Sequence, residues 1–142
     1  MRLKDPQLLR EKAYVNGEWV SADSGATFQV TNPGNGAVLA ALPDLLEGET
    51  RRAIEQANAA WAPWAAKTAK ERAVTLRKWF DLMMANQEDL AIIMTSEQGK
   101  PLAESRGEVA YGASFVEWFA EEGKRIYGDV IPQTQHGRRI IV

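Results

Sequence analysis

The sequence predicts an α/β chain in which strands come first, helices follow and strands return, and three observations carry that prediction. Asn16-Gly17 stands between Tyr14-Val15 and Trp19-Val20, the apolar residues switch to a 3.6-residue period from Glu49 onward, and two short strand-like pieces, "DVIP" and "RRIIV", follow Gly128.

The stretch "AYVNGEWV" predicts a hairpin, because a type I′ turn needs positive φ at both central residues and Asn-Gly tolerates it. A second strand pair, "ATFQVTNP" and "GAVLAALP", is separated by the turn-rich run Asn32-Pro33-Gly34-Asn35-Gly36, with apolar positions at Phe28, Val30 and Val38. Together the two pairs are expected to form a small antiparallel meander. From Glu49 the first helix carries Ala53, Ile54, Ala57, Ala60, Trp61 and Trp64 on one stripe, and Pro63 either ends or kinks it near Ala62. Thr68 and Glu71 have the spacing of a capping box, which opens a second helix with Leu76, Trp79, Phe80 and Met83 on one face. Asn86 breaks or caps that helix. Leu90, Ile93 and Met94 then continue an apolar face to Gly99, a left-handed C-cap, and Pro101 opens the next helix.

The last helix has a stripe of Val109, Ala113, Val116, Phe119, Ala120 and Ile126, with Phe115 and Trp118 as a second apolar edge, so burial on more than one side is expected. Gly107, Gly112 and Gly123 each cost roughly 1 kcal/mol against alanine inside a helix, which suggests close approach of another backbone or a ligand passage. After Gly128 the two final strands are joined by a polar loop from Gln133 to Gly137. The chain stops inside the second strand, and because an unpaired apolar edge is a template for aggregation, the reading is of a truncated chain.

Composition narrows the function. The chain has 142 residues, 45% of them hydrophobic, with a formal net charge of -2 and no cysteine. Lys and Arg are interspersed with Glu, so no basic field for nucleic acid exists, and neither a disulfide framework nor a thiolate metal site is possible. There is no apolar run of membrane-spanning length, and "MRLKDPQLLREK" lacks the apolar centre of a secretory signal, so a cytoplasmic protein without a membrane partner is expected.

The obvious chemical motifs fail. Gly34-Asn35-Gly36 is followed by Leu39 where a dinucleotide fingerprint needs its third glycine, and Gly99-Lys100 lacks the rest of a P-loop. His136, the only histidine, reads as an exposed loop residue. Glu117 and Glu121 lie four apart and could divide acid and base roles, but with Lys124 and Arg125 a turn away they read as a solvated face. Trp61, Trp64, Trp79, Phe80, Phe115, Trp118 and Phe119 read as core rather than as a base-stacking surface.

Three stretches carry a resemblance. "VTNPGNG", "AKERAVTLRKWFDLMMANQEDLAIIMTSEQGKPLAESRGEV" and "EWFAEEGKRIYGDVIP" resemble, in order and spacing, the amino-terminal portion of the NAD(P)-dependent aldehyde dehydrogenases, most closely the succinate-semialdehyde dehydrogenase group. The likeness runs from "YVNGEW" to "RRIIV". It implies an oxidoreductase longer than this chain, in which a cysteine thiolate attacks the aldehyde, hydride passes to NAD or NADP, and a glutamate-activated water hydrolyses the thioester. An asparagine side chain and a backbone amide hold the oxyanion. Those groups and the main parallel sheet lie downstream, so no catalytic or cofactor-binding residue is expected in this chain, and a chain without cysteine is expected to be inactive alone.

The resemblance further implies that residues 1–127 belong to the coenzyme-binding domain and that residues 128–142 begin an oligomerisation arm, whose strands find partners in the rest of the protein or in another protomer of a homo-oligomer. It implies a structural sodium or potassium ion held by the Thr31 carbonyl and the Glu97 carboxylate, where a plain salt bridge would serve as well. It also places Gly107, Tyr111 and Phe115 along the aldehyde entrance, with core packing as the alternative. The rival reading is a stand-alone, non-catalytic interaction domain that binds a partner through its apolar strand edge and aromatic helices.

Overall fold

A computed structural model describes residues 1–133, 135–138 and 140–142. After a 3-10 turn at Pro6–Leu8, the chain forms β1 (Ala13–Val15) and β2 (Glu18–Val20), then β3 (Thr27–Thr31) and β4 (Val38–Pro43). Four helices follow: α1 (Glu47–Ala65), α2 (Ala69–Ala85), α3 (Gln87–Gln98) and α4 (Leu102–Glu122). The described residues end with β5 (Val130–Ile131) and β6 (Ile140–Ile141). Thr134 of the predicted polar loop and Arg139 of the predicted last strand lie outside the described residues.

The first hairpin forms as the sequence predicts. Asn16 and Gly17 take φ of 50° and 86°, and Val15 pairs with Glu18 across the turn. β3 and β4 pair antiparallel with a bulge between Val30 and Thr31. The expected meander does not form, because no ladder joins β2 to β3 among the described residues. The reason lies in the connection. Gly25 turns at φ 72° and donates to the Ala22 carbonyl at 2.9 Å, while the Ala26 amide is taken by Ser24 Oγ at 3.2 Å, so the backbone closes on itself before it can extend the first pair.

The helices begin and end on side chains the sequence supplies. Glu49 accepts from the amides of Leu46 and Asp23 at 3.2 and 3.0 Å, and α1 begins two residues before the predicted Glu49. Pro63 does not end α1, which runs to Ala65. Arg72 donates to the carbonyls of Ala65 and Lys67 at 3.2 and 2.5 Å, where the last turn of α1 leaves acceptors open. The Thr68 hydroxyl accepts from the Glu71 amide at 3.3 Å and the Glu71 carboxylate accepts from the Thr68 amide at 2.8 Å, completing the predicted capping box. Asn86 both caps α2 and precedes α3.

α4 is the centre of the helical layer, packed against α2 on one side and α3 on the other, while α2 and α3 barely touch. Its seam is made of small residues: Ser105, Val109, Ala113 and Ala120 are buried, with Ala91 opposite on α3. Ser105 Oγ and Thr95 Oγ1 share a hydrogen bond of 2.8 Å across that seam. The rims are charged, with Arg106 on Glu88 toward α3 and Arg77 on Glu117 toward α2.

The expectation that the aromatic residues are core is corrected. Trp61, Trp79, Phe115, Trp118 and Phe119 are exposed, while Trp64 and Phe80 are half-buried. Helices lying in one layer bury only the stripes that face each other, and helical periodicity shows which residues share a face without showing that anything covers it. Ile126 leaves the predicted stripe because α4 ends at Glu122, with Gly123 as its cap rather than an interior residue. Gly112 faces Met83 of α2, whose Cε would lie 4.0 Å from an added Cβ, and is the one helical glycine of the three set against a neighbouring helix. Among the described residues, no helix is long and apolar enough to cross a membrane.

The two short strands at the end pair with each other, Val130 against Ile141, and Asp129 and Val142 exchange backbone hydrogen bonds of 2.7 and 3.1 Å. Gly128 opens this hairpin at φ 72°.

Candidate functional site

The first candidate is the corner between α3 and α4. Gly99 takes φ 72° and donates its N–H to the Thr95 carbonyl at 2.9 Å, which closes α3 and frees the chain to reverse. A Cβ at Gly99 would lie 2.9 Å from Pro33 Cγ, so only glycine lets the corner rest on the turn between β3 and β4. That turn is wound on its own oxygens. Gly36 N–H donates to the Asn32 carbonyl and Gly34 N–H to Asn32 Oδ1, both at 2.8 Å, and Ala37 N–H donates to Asn35 Oδ1 at 3.0 Å. Its amides are therefore engaged and offer no cradle to a dinucleotide phosphate.

Thr31 ends β3 two residues before Pro33, and Glu97 stands two residues before Gly99. The Pro33–Gly99 contact thus brings a strand end and a helix end to one joint. Glu97 lines a cleft of about 500 Å³ with Leu90, Met94, Glu108 and Val109; Thr31 is not among its walls. Lys100, the nearest cation in sequence, is paired with Glu108 of α4 and not with Glu97. No group of three His, Cys, Asp or Glu gathers to hold a metal among the described residues, so a cation at this joint would depend on carbonyl oxygens as much as on Glu97.

The second candidate is the outward stripe of α4. Gly107, Tyr111 and Phe115 recur every four residues and share a face. The rings of Tyr111 and Phe115 meet edge to face, with centroids 4.9 Å apart and planes at 83°. They are 65% and 47% exposed, and a Cβ at Gly107 would meet nothing within 4 Å. The stripe is an open ledge, bare at its first position and aromatic over the next two turns. Phe115 also borders a groove of about 720 Å³ with Arg77, Trp118, Phe119 and Glu121.

The paired carboxylates beside that groove are each occupied. Arg77 Nη1 donates to Glu117 Oε1 at 2.9 Å, and Lys124 Nζ donates to Glu121 Oε2 at 2.8 Å. The Lys124 hydrogen bond holds the Glu121 carboxyl below its ordinary range, the direction opposite to what the acid of such a pair needs. His136 lies exposed in a turn.

Sequence reading passed over Asp89. It is buried in the first turn of α3 and accepts from the amides of Lys4 and Asp5, and those bonds hold its carboxyl below the usual range. The available signal was an aspartate one turn before Ile93 on an otherwise apolar stripe.

Comparison with known proteins matches residues 19–142 to the aldehyde dehydrogenase family. The glutarate-semialdehyde dehydrogenase of Pseudomonas putida is 61% identical over 142 residues, which are 100% of this chain and 30% of that protein. The NADP+-linked succinate-semialdehyde dehydrogenase of Escherichia coli is 58% identical, again over 100% of this chain and 30% of its own length. A crystal structure of an aldehyde dehydrogenase from Brucella melitensis biovar abortus 2308 superposes with a TM-score of 0.92 at 58% identity, covering 98% of this chain and 29% of that one. The chain therefore spans about 30% of the length of the curated relatives it matches.

Proposed function

For this chain, which belongs to the aldehyde dehydrogenase family, we propose that it forms the amino-terminal part of an NAD(P)-dependent enzyme that oxidises a short aldehyde carrying a terminal carboxylate. Succinate and glutarate semialdehyde are the substrates named for the two relatives. The observation that supports this reading is the match across all 142 residues, at 61% and 58% identity, to a glutarate- and a succinate-semialdehyde dehydrogenase, beside a 3-sulfolactaldehyde dehydrogenase at 56%.

The chain's own contribution is scaffold and entrance. With no cysteine in its sequence, the nucleophile must come from another segment, and its only Gly-x-Gly turn keeps its amides for itself, so the nicotinamide cofactor would be held elsewhere as well. Gly107, Tyr111 and Phe115 form one wall of the aldehyde passage: apolar ring faces exclude water from the approaching chain, the Tyr111 hydroxyl offers a polar contact, and Gly107 leaves the opening clear. Thr31 and Glu97 contribute oxygen ligands to a structural sodium or potassium ion that ties the β3–β4 turn to the α3–α4 corner. The Pro33–Gly99 contact at that joint supports the placement. Residues 1–127 would then belong to the coenzyme-binding domain, and β5–β6 would start the arm through which a homo-oligomer assembles.

A chimera tests this. The segment of the Pseudomonas putida enzyme that matches this chain is replaced by the chain itself, and reduced nicotinamide is followed with succinate and glutarate semialdehyde and with NAD+ and NADP+. Expected are turnover within about tenfold of the parent and none from the 142 residues alone. A chimera that melts like its parent yet oxidises neither aldehyde overturns the proposal.

A further inference from the structure

The first twelve residues run from the helical layer to the first hairpin, and their two ends are held by different chemistry. At one end, Asp89 of α3 is buried and turns both carboxylate oxygens toward consecutive backbone amides. Oδ1 accepts from Lys4 N–H at 2.9 Å and Oδ2 from Asp5 N–H at 2.8 Å. Two acceptors facing two donors suit a carboxylate; the amide of asparagine, one acceptor and one donor, would leave one N–H opposed by another. The next residues continue the grip, since Asp5 Oδ1 accepts from Gln7 N–H at 3.0 Å and Pro6 starts the 3-10 turn. At the other end, the Arg10 guanidinium lies over the Trp19 ring of β2, 4.8 Å from its centroid. Leu8 and Leu9 between them, and Leu3 just before the first, are half-buried.

We propose that residues 1–12 are a strap, latched on α3 by Asp89 and hooked to the first hairpin by Arg10 on Trp19, and that Asp89 is a positioning residue that sets where the β1–β2 hairpin sits against the α2–α4 layer. The hairpin shares no ladder with β3–β4 among the described residues; Asp23, just beyond β2, ties it to α1 through Glu49 and Arg52, and the strap adds the tie to α3. Asp89 recognises the strap through its backbone, and the Lys4 side chain is not what it grips. Release would free the strap while leaving the α4 seam closed, because Ser105, Val109 and Ala113 take part in none of the strap's hydrogen bonds among the described residues.

Hydrogen exchange and limited trypsinolysis on the intact chain, and in parallel on the chimera, decide this. The Lys4 and Asp5 amides should exchange about tenfold or more slowly than those of Arg2 and Leu3. Asp89→Asn should abolish that protection and speed cleavage after Arg10 and Lys12 about tenfold, with α4 amides unchanged. Lys4→Ala should leave both readouts as they were. Arg10→Ala should speed cleavage after Lys12 while Lys4 and Asp5 stay protected. Unprotected Lys4 and Asp5 amides beside a protected α4 overturn the proposal without any variant. So does a Lys4→Ala effect as large as that of Asp89→Asn, which would make the contact a charge pair, and so does loss of α4 protection in Asp89→Asn, which would make Asp89 part of the layer's core.

Discussion

The inner face of α4 presents Ser105, Val109, Ala113 and Ala120, all buried, whereas its outer face presents Tyr111, Phe115, Trp118 and Phe119, all exposed. Size and burial run opposite to the usual association of aromatics with cores. The inner face is small because α4 is pressed from two sides, and small side chains let two helix axes approach together. Among the described residues the outer face is largely open, with Arg77 of α2 reaching the groove beside Phe115, Trp118 and Phe119. One helix therefore has a face fixed by packing and a face left open to solvent.

Volume added on the two faces should have opposite effects. The largest effect is expected inside: Ala113→Leu, at a position 0% exposed, forces extra volume between α2 and α4 and should cost about 1–3 kcal/mol, read as a lower denaturation midpoint. Gly107→Ala, on the outer face with open space around it, should instead stabilise by about 0.5–1 kcal/mol; if the ledge borders the aldehyde passage, the same methyl lowers kcat/KM in the chimera without lowering the melting temperature. A stabilised Gly107→Ala chimera with unchanged kcat/KM would remove Gly107 from the passage.

Phe115→Ala should cost the chain about 1 kcal/mol, since the ring is about half in solvent but loses its edge-to-face contact with Tyr111. In the chimera the two uses of the outer face separate. A lower kcat/KM with no more than that cost in stability marks an entrance wall, and a larger loss of stability marks a face that the rest of the enzyme covers. The smallest effect belongs to the seam's rim. The Arg106 guanidinium holds the Glu88 carboxyl below its ordinary range, and a carboxyl depressed in the folded state contributes stability that is complete above the unfolded value, about 4, and is lost as pH falls through the depressed one. Melting temperature should thus be flat around neutrality and fall in acid, where Asp89, shifted the same way by the Lys4 and Asp5 amides, adds to the slope. Glu88→Gln should flatten part of that fall; an unchanged acid slope would exclude the rim pair from it.

Much of this architecture could be read before any coordinates. Asn16-Gly17 gives the first hairpin because few residue pairs tolerate two positive φ values, Thr68 and Glu71 give the start of α2 because their spacing closes a reciprocal cap, and Gly99 gives the stop of α3. These are local signals, complete within a few residues. The site was legible only as positions. Gly107, Tyr111 and Phe115 could be placed on one face, and Thr31 and Glu97 near a turn and a corner, but neither the Pro33–Gly99 contact nor the pairing of Lys100 with Glu108 has a local signature, since each joins residues from separate elements. Asp89 was missed for the same reason, its partners lying more than eighty residues away in sequence.

Sequence by itself determined the order of strands and helices, their caps and turns, and the absence of a thiol nucleophile, because backbone dihedral limits and side-chain caps act between near neighbours and composition needs no fold. Only the tertiary structure decided which apolar stripe is covered. Helices in a single layer exclude water only where they meet, so alanine and serine became the core while Trp61, Trp79 and Trp118 were left exposed.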